Sequence, residues 1–320
     1  MKYASPHPEP ILFGFIGGSG VYKLKCMQDP YYYEMDTPFG KPSCPICVAK
    51  IEGVWCAFLA RHGLHHTFLP SEVNYRANIC AMKQLGVRYI TAVNTVGSLD
   101  ANYRPGDLAL VSQLIDRTVK RESTFFGNGI VAHIEFRSPT SDIFSKIIYN
   151  SMKTCFTQDK AQFVGDDAGA AGEASSEAFR VHSSATLVVM EGPAFSTKAE
   201  SLFNKQSGGN LIGMTSFPEA KLAREAEIAY SIVAMVTDMD SWYDVPHVGL
   251  EGIIKVMAAN TEKAESLPTA ILNAMEGNLY DDPAHHSLEN AIVTAPEHLS
   301  KETKERMAPL LAKKYPRYAP

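Results

Sequence analysis

Three short stretches bring together residue types that chemistry needs at close spacing. The first is Gly17-Gly18-Ser19-Gly20, which closes the apolar run 11–16. Glycines let backbone N–H groups approach an anion with no Cβ in the way, and Ser19 adds a hydroxyl donor. The second is Arg61-His62-Gly63-Leu64-His65-His66, which follows the apolar segment 54–59. A guanidinium is a planar, permanently charged fork suited to two phosphate oxygens, and His62 beside it can add a hydrogen bond or orient the ion. The third is Thr237-Asp238-Met239-Asp240, after the apolar run 231–236. Two close, partly buried carboxylates can hold one proton at neutral pH. These stretches are best united by a phosphate seated on the glycine turn, with the other groups built around it.

Several other chemistries are argued against by the same residues. The turn lacks the third glycine of a dinucleotide fingerprint and the Lys-Ser/Thr of a nucleotide triphosphate loop. No Gly-x-Ser-x-Gly elbow is present, so Ser19 reads as a ligand and not as an acyl-type nucleophile. His65 and His66 hint at a metal, but no carboxylate or cysteine pattern completes a ligand set. The six cysteines form no secreted disulfide framework for 320 residues, and Cys44-Pro45-Ile46-Cys47 has no second pair. A net charge of -5 and the lack of a basic stripe argue against nucleic acid and anionic membranes. No transmembrane run and no apolar leader behind a basic head is seen, so a cytoplasmic protein is expected, with the nucleus as a second location.

The elements that must position these residues alternate between strand and helix, which predicts an α/β fold with a largely central sheet. Strands are expected at the glycine turn, over 54–59, over 87–93 ending in the polar turn 94–98, over 107–115, over Thr186–Met190, at 211–215 and over 231–236. Open α/β sheets place ligands at the carboxyl ends of their strands, where Arg61, Asn94 and Asp238 fall. Helices are expected over Tyr75–Leu85, stopped by Gly86, from a Ser141 cap to about Met152, over 198–205, from Pro218 to about Ile228, and over 250–267. The long irregular stretch 117–140 suggests a lid or an interface. Residues 159–180, rich in Ala, Gly, Asp, Glu and Ser, read as a solvent-exposed excursion. The expected organisation is an N-terminal extension (1–9), a catalytic domain (10–290) and a C-terminal helical tail (291–320).

Taken in order, Gly17-Gly18-Ser19-Gly20, Arg61-His62-Gly63, Asn74-Tyr75-Arg76-Ala77-Asn78, Gly97-Ser98-Leu99, Pro105-Gly106-Asp107, Glu191-Gly192-Pro193-Ala194-Phe195-Ser196-Thr197, Met214-Thr215, Pro218-Glu219 and Thr237-Asp238-Met239-Asp240 resemble the trimeric purine nucleoside phosphorylases. The likeness is greatest to the methylthioadenosine phosphorylase branch and spans roughly residues 10–270. It implies a three-layer α/β/α subunit with a mixed, partly barrel-like sheet, assembled as a homotrimer. It implies phosphorolysis of 5'-methylthioadenosine to adenine and 5-methylthioribose 1-phosphate in purine and methionine salvage. No metal or organic cofactor is implied; inorganic phosphate is a co-substrate.

Carried over residue by residue, the resemblance implies a phosphate site of Ser19, Arg61, His62, Asn94, Thr95 and Thr215. Met214 would pack on the ribose, with Gly213 before it, and Phe195 would stack near the base. Asp238 and Asp240 would serve catalysis and base recognition. An adenine offers a 6-amino donor and an N7 acceptor, so an ionised Asp takes the amino proton and a protonated Asp supplies N7. Leu250, Ile253 and Ile254 would wall the 5'-methylthio group, and His133 would reach the 5' side from a neighbouring subunit. Ser19 stands where threonine is common and keeps the donor; two positions depart from the branch, Asn94-Thr95 where threonine and alanine are usual and Gly213 where asparagine is usual. Two alternatives remain open at this point, a purine nucleoside phosphorylase acting on adenosine or 6-oxopurine nucleosides and a non-catalytic nucleoside-binding scaffold.

Overall fold

The computed structural model describes residues 5–18, 20, 24–156, 160–165, 178–244, 250–275 and 279–320, with the side chains of 250–255 and 257 set aside. The first half builds β1 (Phe13–Gly17), β2 (Gln28–Tyr33), β3 (Ile46–Ile51), β4 (Val54–Ala60), α1 (Tyr75–Leu85), β5 (Tyr89–Ser98), β6 (Leu108–Val111) and β7 (Gln113–Arg117). There follow α2 (Asp142–Cys155), β8 (Ala161–Val164), β9 (Phe179–His182), β10 (Thr186–Met190), α3 (Lys198–Gln206), β11 (Leu211–Gly213), α4 (Ser216–Glu225) and β12 (Ala229–Asp238). The chain closes with α5 (Leu250–Glu265), α6 (Leu267–Met275) and α7 (Lys301–Leu311).

All twelve strands join one mixed sheet, whose main path runs β2-β3-β4-β1-β5-β12-β6-β9-β8. Its centre is parallel: β1 lies between β4 and β5, and β5 pairs with β12. The far end of β5 also takes β11 antiparallel, through Gly97 and Ser98, and β11 leads on to β10 and β7. The sheet therefore branches and curls at the end of β5, in keeping with a partly barrel-like form. Strand β1 is buried along its whole length and β12 along all but its last residue, which is why both are nearly continuous apolar runs.

Helices cover both faces, giving three layers. Helices α1, α4 and α7 sit on one face over a core that includes Ile79, Met82, Leu85, Ala223, Met307 and Leu311. Helices α2 and α6 sit on the other, with Phe144, Ile148, Met152, Ile271 and Leu272. Local chemistry sets the helix ends. The Asn74 side chain accepts from the Ala77 N–H at 3.1 Å, Ser141 accepts from Phe144 at 2.9 Å, and Thr197 with Glu200 forms a capping box on α3. Gly86 ends α1 at a φ of 99°, a left-handed conformation that glycine adopts without penalty.

Several expected boundaries shift. Residues 94–98 are not a turn: they continue β5, because β12 and β11 go on pairing with them. The expected strand over 107–115 divides at Ser112 into β6, which pairs with β12, and β7, which pairs with β10. The helix expected over 250–267 is α5, which ends at Glu265, and a separate helix, α6, begins at Leu267. The flanks of the expected 159–180 excursion are β8 and β9 on the sheet's edge, while 166–177 lie outside the described residues. The C-terminal stretch is no loose tail, since Met307, Leu310, Leu311, Tyr315 and Tyr318 are buried in the core beneath α1. Likewise His7 of the N-terminal extension is buried, its ring 4.9 Å from that of Trp55.

Candidate active site

Because β4, β1, β5 and β12 run parallel, their carboxyl ends emerge side by side. Gly17 pairs with Ala60, immediately before Arg61, and Asp238 pairs with Gly97. A cavity of about 570 Å³ opens there. Arg61, His62, Asn94, Thr95 and Thr215 line it, as do Phe195, Gly213, Met214, Asp238 and Asp240. Gly17, Gly18 and Gly20 of the glycine turn also line it. Ser19 lies outside the described residues, as do the side chains of Leu250, Ile253 and Ile254. His133 is not part of the cavity wall of this chain; it is exposed, and its backbone N–H donates to Ala291.

At the anion end, Arg61 is 2% exposed and locked by a partner that sequence reasoning missed. Its Nε donates to Glu219 Oε2 at 2.7 Å and its Nη2 to Glu219 Oε1 at 2.8 Å. Tyr230 donates its hydroxyl to Glu219 Oε1 at 2.7 Å, so the carboxylate is tied from three directions. Burial alone would depress the Arg61 pKa, but the Glu219 carboxylate outweighs it and holds the guanidinium charged. One edge of the fork is thus taken; Nη2 keeps one hydrogen on its end-on side, and Nη1, with no partner among the described residues, is the group left to meet an anion. Asn94 links this edge to the next donor: its Oδ1 accepts from Arg61 Nη2 at 3.4 Å, and its Nδ2 donates to Thr215 Oγ1 at 2.7 Å. With Oγ1 already accepting, the Thr215 hydroxyl hydrogen is free to donate. His62 stacks on His66 at 4.4 Å between ring centroids, and its Nδ1 lies 2.9 Å from the Phe68 carbonyl. Burial pushes the His62 pKa down to about 4, so the ring is neutral at physiological pH.

At the other end, Asp238 Oδ1 accepts from the Thr237 hydroxyl at 2.7 Å and Oδ2 from the Asp240 N–H at 3.1 Å. Asp240 accepts from the Ser201 hydroxyl on α3. Burial raises the Asp240 pKa, and the neighbouring Asp238 adds to the rise against the Ser201 bond that opposes it. Gly97 beneath them leaves little room for a side chain, since a Cβ there would stand 3.1 Å from Asp238 Oδ2 and 3.2 Å from Ile212. Met214 lies over Gly192, where a Cβ would come within 2.6 Å of its sulfur and φ is +69°. Phe195 stands at the rim with 71% of its surface exposed. Gly213 leaves little room for a larger residue, because a Cβ would be 3.3 Å from Val96.

A further clamp steadies the wall. Arg121 donates to Glu191 Oε1 at 2.8 Å and to the Phe217 carbonyl at 2.6 Å, while the Glu191 carboxylate accepts the Val119 and Lys120 N–H groups at 2.6 and 2.9 Å. Thus the start of the irregular stretch 117–140 is pinned between β10 and α4. The one sequence signal for the missed Glu219 was its place in Pro218-Glu219: a buried arginine demands a buried carboxylate. Among the described residues no group of three or more His, Cys, Asp or Glu side chains could hold a metal ion, and no helix is long and apolar enough to cross a membrane.

A curled mixed sheet with an anion cradle and a carboxyl pair at the ends of its parallel strands defines a class: the chain belongs to the phosphorylase superfamily, whose family model matches residues 13–273. Within it, the chain is 44% identical over 299 residues to an S-methyl-5'-thioadenosine phosphorylase of Chloroflexus aurantiacus, covering 93% of this chain and 96% of that protein. Among solved structures it is similar to a methylthioadenosine phosphorylase from an antarctic soil metagenomic library, with a TM-score of 0.85, 39% identity and coverage of 94% and 99%. It is also similar to a variant of the adenosine/methylthioadenosine phosphorylase of Schistosoma mansoni in complex with adenine, with a TM-score of 0.75, 31% identity and coverage of 84% and 93%.

Proposed function

We infer that this chain is a phosphate-dependent pentosyltransferase that cleaves 5'-methylthioadenosine to adenine and 5-methylthioribose 1-phosphate. The observation that carries the reading is that the linked set Arg61–Asn94–Thr215 and the pair Asp238/Asp240 open into one cavity. Near-full-length likeness to methylthioadenosine phosphorylases supports the choice of nucleoside. Phosphate is held by Arg61, Asn94, Thr215 and His62 below the sugar, and the family likeness assigns Ser19 and Thr95 to the same site. Met214 packs on the ribose and Phe195 covers the base. As the C1'–N9 bond lengthens, the ribosyl group gains oxocarbenium character and the electron pair passes to the purine. One carboxylate of the Asp238/Asp240 pair accepts from the 6-amino group, and the pair supplies the proton that N7 takes. A phosphate oxygen then bonds to C1'. Catalysis is positioning and electrostatics, with no covalent intermediate on the protein.

A second nucleoside, adenosine, fits the same reading. Asparagine-to-threonine and serine-to-threonine variants of the Schistosoma mansoni adenosine/methylthioadenosine phosphorylase change two positions at the same separation in sequence as Asn94 and Ser19 here. A homotrimer in which His133 of one subunit approaches the cavity of the next completes the proposal. Replacing one acceptor of the base by an amide tests the assignment of the carboxyl pair. Asp238→Asn is expected to lower kcat/KM for methylthioadenosine by about 10²-fold or more, while activity on inosine is kept or raised. Unchanged kinetics with both nucleosides would remove Asp238 from base recognition.

A further inference from the structure

Resting on the phosphorolytic reading above, we propose that Arg121, which stands outside the cavity wall, is a positioning residue of the reaction: its guanidinium ties the base-covering segment after β10 to the turn that carries Met214 and Thr215, and so sets the spacing of nucleoside and phosphate.

The Arg121 side chain is 1% exposed, and each of its N–H hydrogens meets an acceptor. Nε donates to Glu191 Oε1 at 2.8 Å. Nη2 donates to the Glu191 carbonyl at 3.0 Å and to the Met190 carbonyl at 3.3 Å. Nη1 donates to the Phe217 carbonyl at 2.6 Å and to the Tyr75 hydroxyl at 3.3 Å. A guanidinium has no further donor, so nothing is left over to hold a ligand. The group is itself held in place, because the Val119 and Lys120 N–H groups grip the same Glu191 carboxylate at 2.6 and 2.9 Å.

The acceptors belong to three segments of the cavity wall. Met190 ends β10, and Met190 and Phe195 line the cavity. Phe217 follows Gly213, Met214 and Thr215, which line it too. A φ of −119° and a ψ of 130° at Phe217 break the helical course of α4 and turn its carbonyl out of the helix, toward the guanidinium. Tyr75 passes the link on, since its hydroxyl donates at 2.9 Å to the carbonyl of Pro70, another residue of the wall.

Bonds to carbonyls fix where a chain runs. A planar fork with set N–H directions holds several of them at fixed separations, which a compact ammonium cannot do. In the proposed reaction Phe195 covers the base from one of these segments and Thr215 meets phosphate from another. Each segment keeps its own contacts without Arg121, but the distance from C1' to the phosphate oxygen depends on how far apart the segments stand. A misplacement of about 1 Å between reacting groups costs about 10²-fold in rate. Arg121 therefore acts on kcat and leaves both KM values near their starting points.

The test is steady-state kinetics of the full chain and of its Arg121→Lys and Arg121→Ala variants, with methylthioadenosine and phosphate varied in turn and folding checked by circular dichroism. Arg121→Lys is expected to lower kcat by about 100-fold while each KM stays within about threefold. In Arg121→Ala, guanidinium ion at a sub-denaturing concentration is expected to restore about tenfold or more of the lost kcat, and ammonium chloride of equal ionic strength is not. A kcat within about threefold of the unaltered chain in Arg121→Lys overturns the proposal, as does a loss carried by a raised KM at constant kcat. A folded Arg121→Ala that guanidinium does not restore overturns it too. Where Arg121→Ala does not fold, Arg121→Lys decides alone. An unaltered chain without phosphate-dependent cleavage fails the functional reading itself, whereas an active chain indifferent to Arg121 fails this inference alone.

Discussion

Arg61 can sit almost wholly out of water and remain charged because Glu219 faces it with both carboxylate oxygens and Tyr230 supports Glu219 from β12. Removing one partner of such a pair strands the other as a buried charge, which is costlier than the pair itself is worth. Glu219→Ala is therefore expected to destabilise the fold by about 3–5 kcal/mol in urea unfolding, and to raise the phosphate KM as the Arg61 fork swings from its place. A loss below about 1 kcal/mol with unchanged phosphate KM would show that the pair neither holds the fold nor sets the fork. Arg61 and Asp238 were legible as candidates because each follows an apolar run that the structure makes a strand, β4 and β12, and stands at its carboxyl end. Glu219 was legible only as part of a motif. Its partner lies 158 residues away, and no local pattern states that separation. The orientation of Asn94 between Arg61 and Thr215 was hidden for the same reason.

Strands buried on both faces write themselves as apolar runs, so β1, β4 and β12 were readable before any fold was known. Polar positions within a strand were not: Asn94, Thr95 and Ser98 looked like a turn, yet pairing with β12 and β11 holds them extended, and this extension carries Asn94 and Thr95 onto the cavity wall. Helix α1 was legible to the residue because its Asn74 cap and its Gly86 stop are both local chemistry. The packing of α7 was not local. Its apolar residues, interrupted by Pro309, resembled a tail, but Met307 and Leu311 are wholly buried against the first core layer. Leu311→Ala is expected to cost about 2–5 kcal/mol, seen as a lower urea midpoint with the same m-value. A change below about 0.5 kcal/mol would mean that the C-terminal stretch is an appendage after all.

At the scale of the whole molecule, the proposed homotrimer bears on the rim of the cavity. Phe195 at the rim is 71% exposed, and Val119 is 82% exposed while its N–H is held by Glu191. The proposed trimer would cover these two apolar side chains. Sedimentation at micromolar concentration is expected to give three times the mass of one chain, and a monomer that is fully active would refute the proposed trimer and the reach of His133. The central claim is that phosphate, held by Arg61, Asn94 and Thr215, is the nucleophile that separates ribose from adenine. Its most direct test is adenine release from methylthioadenosine by the purified chain, with and without inorganic phosphate and with adenosine and inosine alongside. The account predicts cleavage that requires phosphate, yields 5-methylthioribose 1-phosphate, and prefers methylthioadenosine and adenosine to inosine. Cleavage that proceeds without phosphate, or a preference for inosine, would contradict it.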